Sequence, residues 1–266
     1  ADNQRAFNWG RRAACDPQGT ERAAAGAETV PAEHRPSRDL TEVVARRRAL
    51  LVTYQNERYA EHYAGIVGRA QRAEEQAVPG STRLAEAVAR NAYKLLAIKD
   101  EYEVARLYSD GEFAQALQGT FEGDVRVHLH LALPGLRQRD ATSGEPIKRR
   151  YGPWMLHAMR LLARCKPLRG TPFDIFAYSA ERRMERALAS DYERVIDTLC
   201  AQLTAADLDL ACEIAMIPDA IRGFGPVKQR NAEAARARQD ALMTEWQSRH
   251  PSSEAGGCAG DALPAH

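Results

Sequence analysis

The sequence has few cysteines, no long apolar run and almost no net charge, and each shortage argues against a class of protein. Its five cysteines are too few and too scattered for a disulfide scaffold, and the absence of a C-x-x-C pair argues against a structural zinc site and a cysteine-ligated iron–sulfur cluster. No stretch approaches 18 continuous apolar residues, so no membrane-spanning helix is expected. The 37 Lys and Arg residues balance 36 Asp and Glu residues, whereas nucleic-acid and membrane-surface binders usually carry a basic excess.

The remaining composition is typical of a globular protein. With 266 residues, of which 44% are hydrophobic, the chain can form one large domain or two small ones around a sizeable core. The sequence contains no Asn-x-Ser/Thr glycosylation site, and we expect a cytoplasmic protein.

The first 38 residues are predicted to form a short helix and a linker. A helical pattern covers residues 3–14 and ends before Pro17, and residues 17–38 are rich in Ala, Gly, Glu and Pro without apolar periodicity. Because the chain begins at Ala1 with a helix already under way, we expect it to be a piece of a longer protein.

Two long helices are predicted next. The first begins at Asp39 or Thr41 and runs to about Gln76, with one irregular step in its apolar spacing around Arg58. The second begins after Thr82, which we expect to be its N-cap, and its apolar seam has alternating steps of four and three residues. The seam consists of Leu84, Val88, Asn91, Leu95, Ile98, Tyr102 and Ala105.

The short turn over residues 77–81 predicts that these two helices form an antiparallel hairpin. Asn91 interrupts the seam, and we expect it to be a buried polar residue that fixes the register of the hairpin.

The periodicity changes to that of strands over residues 125–131, and residues 146–151 are predicted to return as a second strand. Further helices are predicted over 155–168, from Tyr178 or Ser179 to 203, over 207–216 and over 226–248, before a disordered tail. The predicted fold class is mainly α with a small antiparallel β element (α+β).

Residue spacing alone predicts no catalytic constellation. His128 and His130 share one strand face and could bind a metal, but no third ligand is evident and a solvated face is favoured. Gly223-Phe224-Gly225 lacks the third glycine of a phosphate-binding loop. The charges at Lys99, Glu103 and Arg106 indicate ion pairs on a solvated helix face.

The basic run at residues 148–150 could bind an acidic partner, although a structural role is favoured. The first four cysteines, at positions 15, 165, 200 and 212, are expected to act as small apolar core residues.

Four long segments resemble the C-terminal region of the fused indolepyruvate ferredoxin oxidoreductases of bacteria, a 2-oxoacid:ferredoxin oxidoreductase family. They are LVTYQNERYAEHY (51–63), NAYKLLAIKDEYEVARLYSDGEF (91–113), RRYGPWMLHAMRLLARCKPLRGTPFDIFAYSAERRMER (149–186) and IRGFGPVKQRN (221–231). The resemblance extends over residues 39–248, and NQRAFNWGRRAACDP (3–17) is similar to the end of the preceding catalytic-γ domain.

The resemblance implies a division into residues 1–16, the tail of a catalytic-γ-like domain, a linker over 17–38, a C-terminal helical domain over 39–248 and a disordered tail over 249–266. It also implies a parent enzyme that oxidatively decarboxylates aryl-pyruvates to acyl-CoA with thiamine diphosphate, magnesium and iron–sulfur clusters. Ferredoxin accepts the electrons, and CoA is the acyl acceptor. The family's Gly-Asp-Gly thiamine motif and its cluster-binding cysteine runs do not occur in this sequence.

No catalytic, cofactor-binding or metal-binding residue is therefore predicted in this chain, which we expect to be inactive by itself. The leading hypothesis is a C-terminal accessory domain that packs on the remainder of a homo-oligomeric oxidoreductase, with no nucleic-acid or membrane partner. The alternative is a stand-alone α-helical interaction module without a redox role. Under the first hypothesis, five charged residues face another part of the enzyme, near the approach of CoA or ferredoxin. They are Lys99, Glu101, Arg106, Arg149 and Arg150.

Overall fold

A computed structural model describes residues 2–20, 39–121, 123, 126–131, 147–223 and 225–251. These residues are mainly α-helical with a two-stranded antiparallel sheet, which confirms the predicted fold class. The chain divides into two compact units, Ala1–Asp39 and Leu40–His266. The first contains α1 (Asp2–Cys15), as predicted, and a helical turn over 17–20. The rest of the predicted linker and of the predicted tail, 21–38 and 252–266, lies outside the described residues.

The first long helix is divided in two, so the prediction of one continuous helix from residue 39 to 76 is wrong. Helix α2 (Leu40–Tyr54) ends just before Asn56, and α3 (Glu57–Ala77) begins just after it. The Asn56 side chain accepts a hydrogen bond from the backbone N–H of Tyr59 at 2.9 Å. Asparagine is a strong N-cap, and the irregular apolar spacing at this point marks the new helix.

The predicted hairpin is confirmed, but its second helix is shorter than its seam. Helix α4 (Arg83–Leu96) runs antiparallel to α3. The hydroxyl of Tyr59, the earlier residue of α3, donates to the Leu96 carbonyl at the end of α4 at 3.0 Å, and the hydroxyl of the later Tyr63 donates to the earlier Ala89 carbonyl at 3.1 Å. The chain leaves the helix over residues 97–100. Helix α5 (Glu101–Leu107) then begins with Asp100, whose side chain accepts from Glu103 N–H at 2.8 Å.

The N-terminus of α4 is capped by a side chain from α3. Glu74 is fully buried, and its carboxylate accepts the backbone N–H groups of Leu84 and Ala85 at 3.0 and 2.9 Å. The carboxylate also accepts the Ser81 hydroxyl at 2.7 Å. The expected cap by Thr82 is wrong, because the Thr82 hydroxyl donates to a side chain one turn along the helix and accepts no backbone N–H.

The remaining predicted elements occur in the predicted order, and one further helix, Glu112–Thr120, was not predicted. Strands β1 (Leu129–Leu131) and β2 (Arg149–Tyr151) are shorter than predicted and pair antiparallel, with His130 opposite Arg150. The helix predicted over 155–168 ends at Arg164, and a 3₁₀ turn follows it. The elements after α5 are α6 (Glu112–Thr120), β1 (Leu129–Leu131), β2 (Arg149–Tyr151), α7 (Trp154–Arg164), α8 (Ala180–Gln202), α9 (Leu208–Met216) and α10 (Gly225–Arg249), with 3₁₀ turns at Lys166–Leu168, Ala205–Asp207 and Ile217–Ala220.

The buried apolar residues that the structure describes form two separate clusters. The large core is built from α2, α3, α4, α8, α9 and α10, and it includes the fully buried Asn91, whose amide donates to the Ala87 carbonyl at 3.0 Å. The small core lies between α5, the β-hairpin and α7. Its buried members are Ala105, Leu129, Met155 and Met159.

Candidate functional site

Arg169, in the loop after the first 3₁₀ turn, makes the densest set of polar contacts between the two cores. Its guanidinium donates to both carboxylate oxygens of Asp100, at 2.5 and 2.9 Å. It also donates to the Tyr54 carbonyl at 2.6 Å and to the Gln55 side chain at 2.7 Å. Only 12% of the Arg169 side chain and 5% of the Asp100 side chain are exposed. Four of the five guanidinium donor positions are thereby used inside the protein.

Aromatic rings and a second carboxylate surround this ion pair. The guanidinium carbon of Arg169 lies 3.8 Å from the ring centre of Tyr54 and 5.6 Å from that of Tyr102, a cation–π arrangement. The Tyr102 hydroxyl donates to Asp174 at 3.2 Å, and its ring packs edge-on against Phe176. We refer to Tyr54, Gln55, Asp100, Tyr102, Arg169 and Asp174 as the Arg169 cluster.

A second group of ion pairs lies beside the Arg169 cluster. Arg182, on α8, contacts Glu101 at 3.2 Å and also pairs with Glu185 one turn along its own helix. Glu185 is buried, and it receives a further ion pair from Lys228 on α10. Both carboxylates are thus paired with cations from distant parts of the chain, which offsets the cost of burying them.

Burial and ion pairing shift the pKa values in these two groups. Burial is the largest single influence on Arg169 and opposes its charged form, but the hydrogen bonds to Asp100 and the negative charges nearby together outweigh burial and raise the pKa of the guanidinium. Burial raises the pKa of Tyr59 to about 12. Burial, together with the neighbouring Asp174, also raises the pKa of Tyr102 to about 12. These tyrosines stay protonated at neutral pH and are poor candidates for a general base.

A cavity of about 260 Å³ lies at this place, lined by both groups and by apolar residues of α4 and α8. The guanidinium of Arg169 and the carboxylates of Asp100 and Asp174 form their hydrogen bonds with other groups of the protein. The arrangement is therefore suited to holding three segments of the chain together, because little bonding capacity is left for a ligand.

Three of the four segments quoted above for their resemblance line this cavity, and the fourth reaches it through an ion pair with the lining residue Glu185. The first supplies Tyr54 and the second Asp100, while the third supplies Arg169 and the fourth supplies Lys228. Residues 54 and 169 are far apart in sequence and are joined by a direct hydrogen bond. The unusual sequence strings are therefore parts of one packed unit.

The described cysteines form no cluster-binding set, and the thiols of Cys200 and Cys212 are not activated. In the part of the chain that the structure describes, no three His, Cys, Asp or Glu side chains are grouped in a way that could hold a metal ion. Burial raises the pKa values of Cys200 and Cys212 to about 11, which makes both thiols unreactive at neutral pH. Cys212 is buried and Cys165 and Cys200 are half-buried, but Cys15 is exposed, so the expectation of four core cysteines is wrong for Cys15.

The five charged residues predicted to face a partner have different surroundings. Glu101 pairs with Arg182, and Arg106 donates to Glu103 at 2.8 and 2.9 Å and to Asp110 at 3.0 Å. Both Glu101 and Arg106 are half-buried in internal ion pairs. Lys99 is exposed, but it precedes α5, so the expected helical pair between Lys99 and Glu103 is wrong.

The structure places the other predicted site residues at the surface. Arg149 and Arg150 are exposed on β2, and His130 is exposed on β1. His128 is exposed in the segment before β1, so it does not share a strand with His130. Of the predicted glycine turn, residue 224 lies outside the described residues.

Sequence reasoning missed Arg169, Asp174, Glu185 and Glu74, the residues with the most buried polar contacts. One feature could have indicated Glu74, since a glutamate near the end of one helix can reach the N-terminus of the next across a short turn. The partners of Arg169 are 69 to 115 residues away, and no local pattern indicates such distant contacts.

The comparisons with known proteins show one family. Residues 40–241 match DUF6537, described as a family of unknown function, and the chain belongs to this family. No curated protein and no solved structure matches the chain. Among the described residues, no helix has the length and apolar character that crossing a bilayer requires.

Proposed function

We propose that this chain is the C-terminal accessory domain of an indolepyruvate ferredoxin oxidoreductase, and that it supports assembly of the enzyme without contributing catalytic groups. The parent enzyme oxidatively decarboxylates aryl-pyruvates to acyl-CoA and passes the electrons to ferredoxin. The cytoplasmic location and the homo-oligomeric parent expected from the sequence belong to the same proposal.

The observation that carries the proposal is that all four resembling segments contribute to the Arg169 cluster and its neighbouring ion pairs. Strings that are scattered along the chain but adjacent in space have a common structural reason to be retained together. The polar groups at this place bind one another, which favours a structural role over a catalytic one.

The described residues do not fit the cofactors of such an enzyme. Iron–sulfur clusters are held by several cysteine thiolates, and the four described cysteines form no group with one another or with other metal-binding side chains. Thiamine diphosphate, magnesium and the clusters are accordingly assigned to the remainder of the parent, and no step of the reaction is assigned to this chain.

The coding sequence upstream of the Ala1 codon provides a direct test. We expect it to continue in frame into a thiamine-binding region that contains the Gly-Asp-Gly motif. A start codon immediately upstream of Ala1 would contradict the accessory-domain proposal and would favour the stand-alone interaction module.

Reversing the charge of the β-hairpin tests the role in assembly. Arg149→Glu with Arg150→Glu, introduced into the whole enzyme, should lower the fraction of assembled oligomer or slow the aryl-pyruvate-dependent reduction of a viologen dye. Arg194→Glu is a control, because Arg194 is 75% exposed on α8 and contacts a residue of its own helix. Unchanged assembly and turnover in the double variant would remove Arg149 and Arg150 from the proposed interface.

The alternative function is an α-helical interaction module with no redox role. Dye reduction by the purified chain does not separate the two hypotheses, because we expect the chain to be inactive under both. Robust aryl-pyruvate-dependent dye reduction by this chain alone would contradict both hypotheses.

A further inference from the structure

The loop between the first 3₁₀ turn and α8 presents large apolar side chains to solvent. Phe173 is 76% exposed, Ile175 is 75% exposed and Tyr178 is 63% exposed. We call residues 171–178 the apolar loop. Single exposed apolar residues are common on protein surfaces, but three large ones within six positions form a patch, and such patches mark interaction sites.

The conformation of the apolar loop is held by internal hydrogen bonds. The Asp174 carboxylate accepts the backbone N–H of Gly170 at 2.9 Å and that of Phe176 at 3.1 Å. The exposed Arg183 donates to the carbonyl of Tyr178 at 3.0 Å. The loop is thus fixed before any partner binds, which lowers the entropic cost of binding.

Alternate residues of the loop have opposite roles. Asp174 and Phe176 point into the protein, where they contact the Arg169 cluster through Tyr102. Phe173 and Ile175 alternate with them in the sequence, and their side chains are exposed to solvent. The side chains of Asp174 and Phe176 therefore hold the loop against the protein, and the apolar side chains of Phe173 and Ile175 remain available to a partner.

Basic residues precede the apolar loop in the sequence, and Arg183 and Arg186 contact its backbone through the carbonyls of Tyr178 and Ala177. Residues 147–173 contain seven Lys and Arg residues and no Asp or Glu. Arg183 and Arg186, at the start of α8, are also exposed, and no ion pair joins either of them to another described residue. The carboxylates of Asp174 and Glu185 are buried, and Glu185 is already paired with Arg182 and Lys228.

We propose that the apolar loop is a docking surface for a partner protein whose own surface has an apolar pocket bordered by carboxylates. Aromatic and arginine side chains are enriched at protein interfaces and carry much of their binding energy. A protein partner is favoured over a nucleic acid or a lipid surface because the basic charge is local and the whole chain has a net charge of only +1. The inference rests on the part of the proposed function that both alternatives share, a protein partner.

Site-specific photo-cross-linking in the producing cells tests the docking surface. A photoreactive phenylalanine analogue is placed at position 173 of the whole protein, and the cross-linked peptide is identified by mass spectrometry. The expected peptide comes from a protein surface where Asp and Glu residues border apolar ones. Cross-links only to a second copy of this chain, to lipid or to RNA would overturn the proposal.

Two further changes test whether the contact depends on the apolar loop. Ile175→Ser should lower the cross-linking yield by about tenfold or more, as expected for an interface hot spot, whereas Leu50→Ser at the exposed face of α2 should leave it unchanged. Arg183→Gln keeps a donor for the Tyr178 carbonyl but removes the charge, and it should lower the yield by about threefold and weaken its dependence on salt. All variants should keep the thermal midpoint of the parent protein, since each replaced side chain is exposed.

The outcomes separate this inference from the proposed function. A loop-dependent partner that is neither the oxidoreductase body nor ferredoxin, found for a protein whose coding sequence holds no thiamine-binding region, supports the docking surface and contradicts the accessory-domain proposal. Cross-links to the oxidoreductase body that persist unchanged in Ile175→Ser support the accessory-domain proposal and contradict the docking surface.

Discussion

Arg169 is one of seven basic residues between positions 147 and 173, and its sequence neighbours do not distinguish it from the rest. What distinguishes it is burial together with Asp100 and the number of acceptors within reach of its guanidinium. A planar guanidinium can bind both carboxylate oxygens and still donate to a carbonyl, which a lysine ammonium cannot do with the same geometry. The contribution of this residue therefore depends on the folded structure.

We predict that Arg169→Met lowers the free energy of unfolding by about 3–5 kcal/mol, because the buried Asp100 carboxylate is left without its cation. Urea denaturation measures the change. Adding Asp100→Asn to this variant should recover part of the loss, because the asparagine can still cap α5.

Arg238→Met is the control, since its ion pair with Glu213 is largely exposed and should contribute little. Equal losses in Arg169→Met and Arg238→Met would contradict a special role for the buried pair.

The helices show which parts of the fold follow from local sequence. The α3–α4 hairpin was predictable, because its apolar seam and short turn lie within about 30 residues of each other. The division at Asn56 and the new helix after Asp100 were not predicted, because each depends on a side-chain hydrogen bond that caps the start of the next helix, which apolar spacing does not indicate. The Arg169 cluster was not predictable from spacing, since it joins segments through contacts over 69 to 115 residues.

The cap of α4 by Glu74 leads to a second prediction. Glu74→Ala should lower the free energy of unfolding by about 3 kcal/mol, because the buried N–H groups of Leu84 and Ala85 lose a charged acceptor. Hydrogen exchange at these two amides should accelerate together with the loss measured by denaturation. Gln76→Ala is a matched control two positions along the same helix, at an exposed residue. A comparable loss in the control would show that the cap is not the cause.

At the scale of the whole molecule, the C-terminal end of α10 is joined to the turn before α9 by an acid-sensitive contact. Asp207 accepts the Thr204 hydroxyl and the Arg249 guanidinium, and the Nε2 atom of His250 lies 3.2 Å from its carboxylate. The hydrogen bond from the Thr204 hydroxyl is the main reason why the pKa of Asp207 is lower than its ordinary value of 3.8, and the hydrogen bond from Arg249 adds to the effect.

A carboxyl group whose pKa is lower in the folded than in the unfolded chain stabilises the fold at any pH above its pKa in the unfolded chain. This stabilisation is lost as the pH falls through its pKa in the folded chain. We therefore predict that Asp207→Asn is less stable than the parent at pH 7 and that the difference narrows as the pH falls below 3.8. Thr204→Val should move the loss of stability to higher pH, because it removes the main cause of the lowered pKa. Denaturation midpoints measured from pH 2 to 7 check both variants, and a difference that stays constant with pH would contradict the assignment to Asp207.

The two separate cores have a consequence for how the protein opens. The small core is tied to α2 by the Arg169 cluster and by the Lys166 ammonium, which donates to the Thr53 carbonyl at 2.6 Å, and to α8 by the ion pair of Glu101 with Arg182. Such ties close chain segments of more than 100 residues, so they form late in folding, after the local α3–α4 hairpin. Their loss exposes few apolar groups of the large core. The β-hairpin and α7 should consequently exchange their amide protons as one unit, through an opening that leaves the α3–α4 hairpin closed.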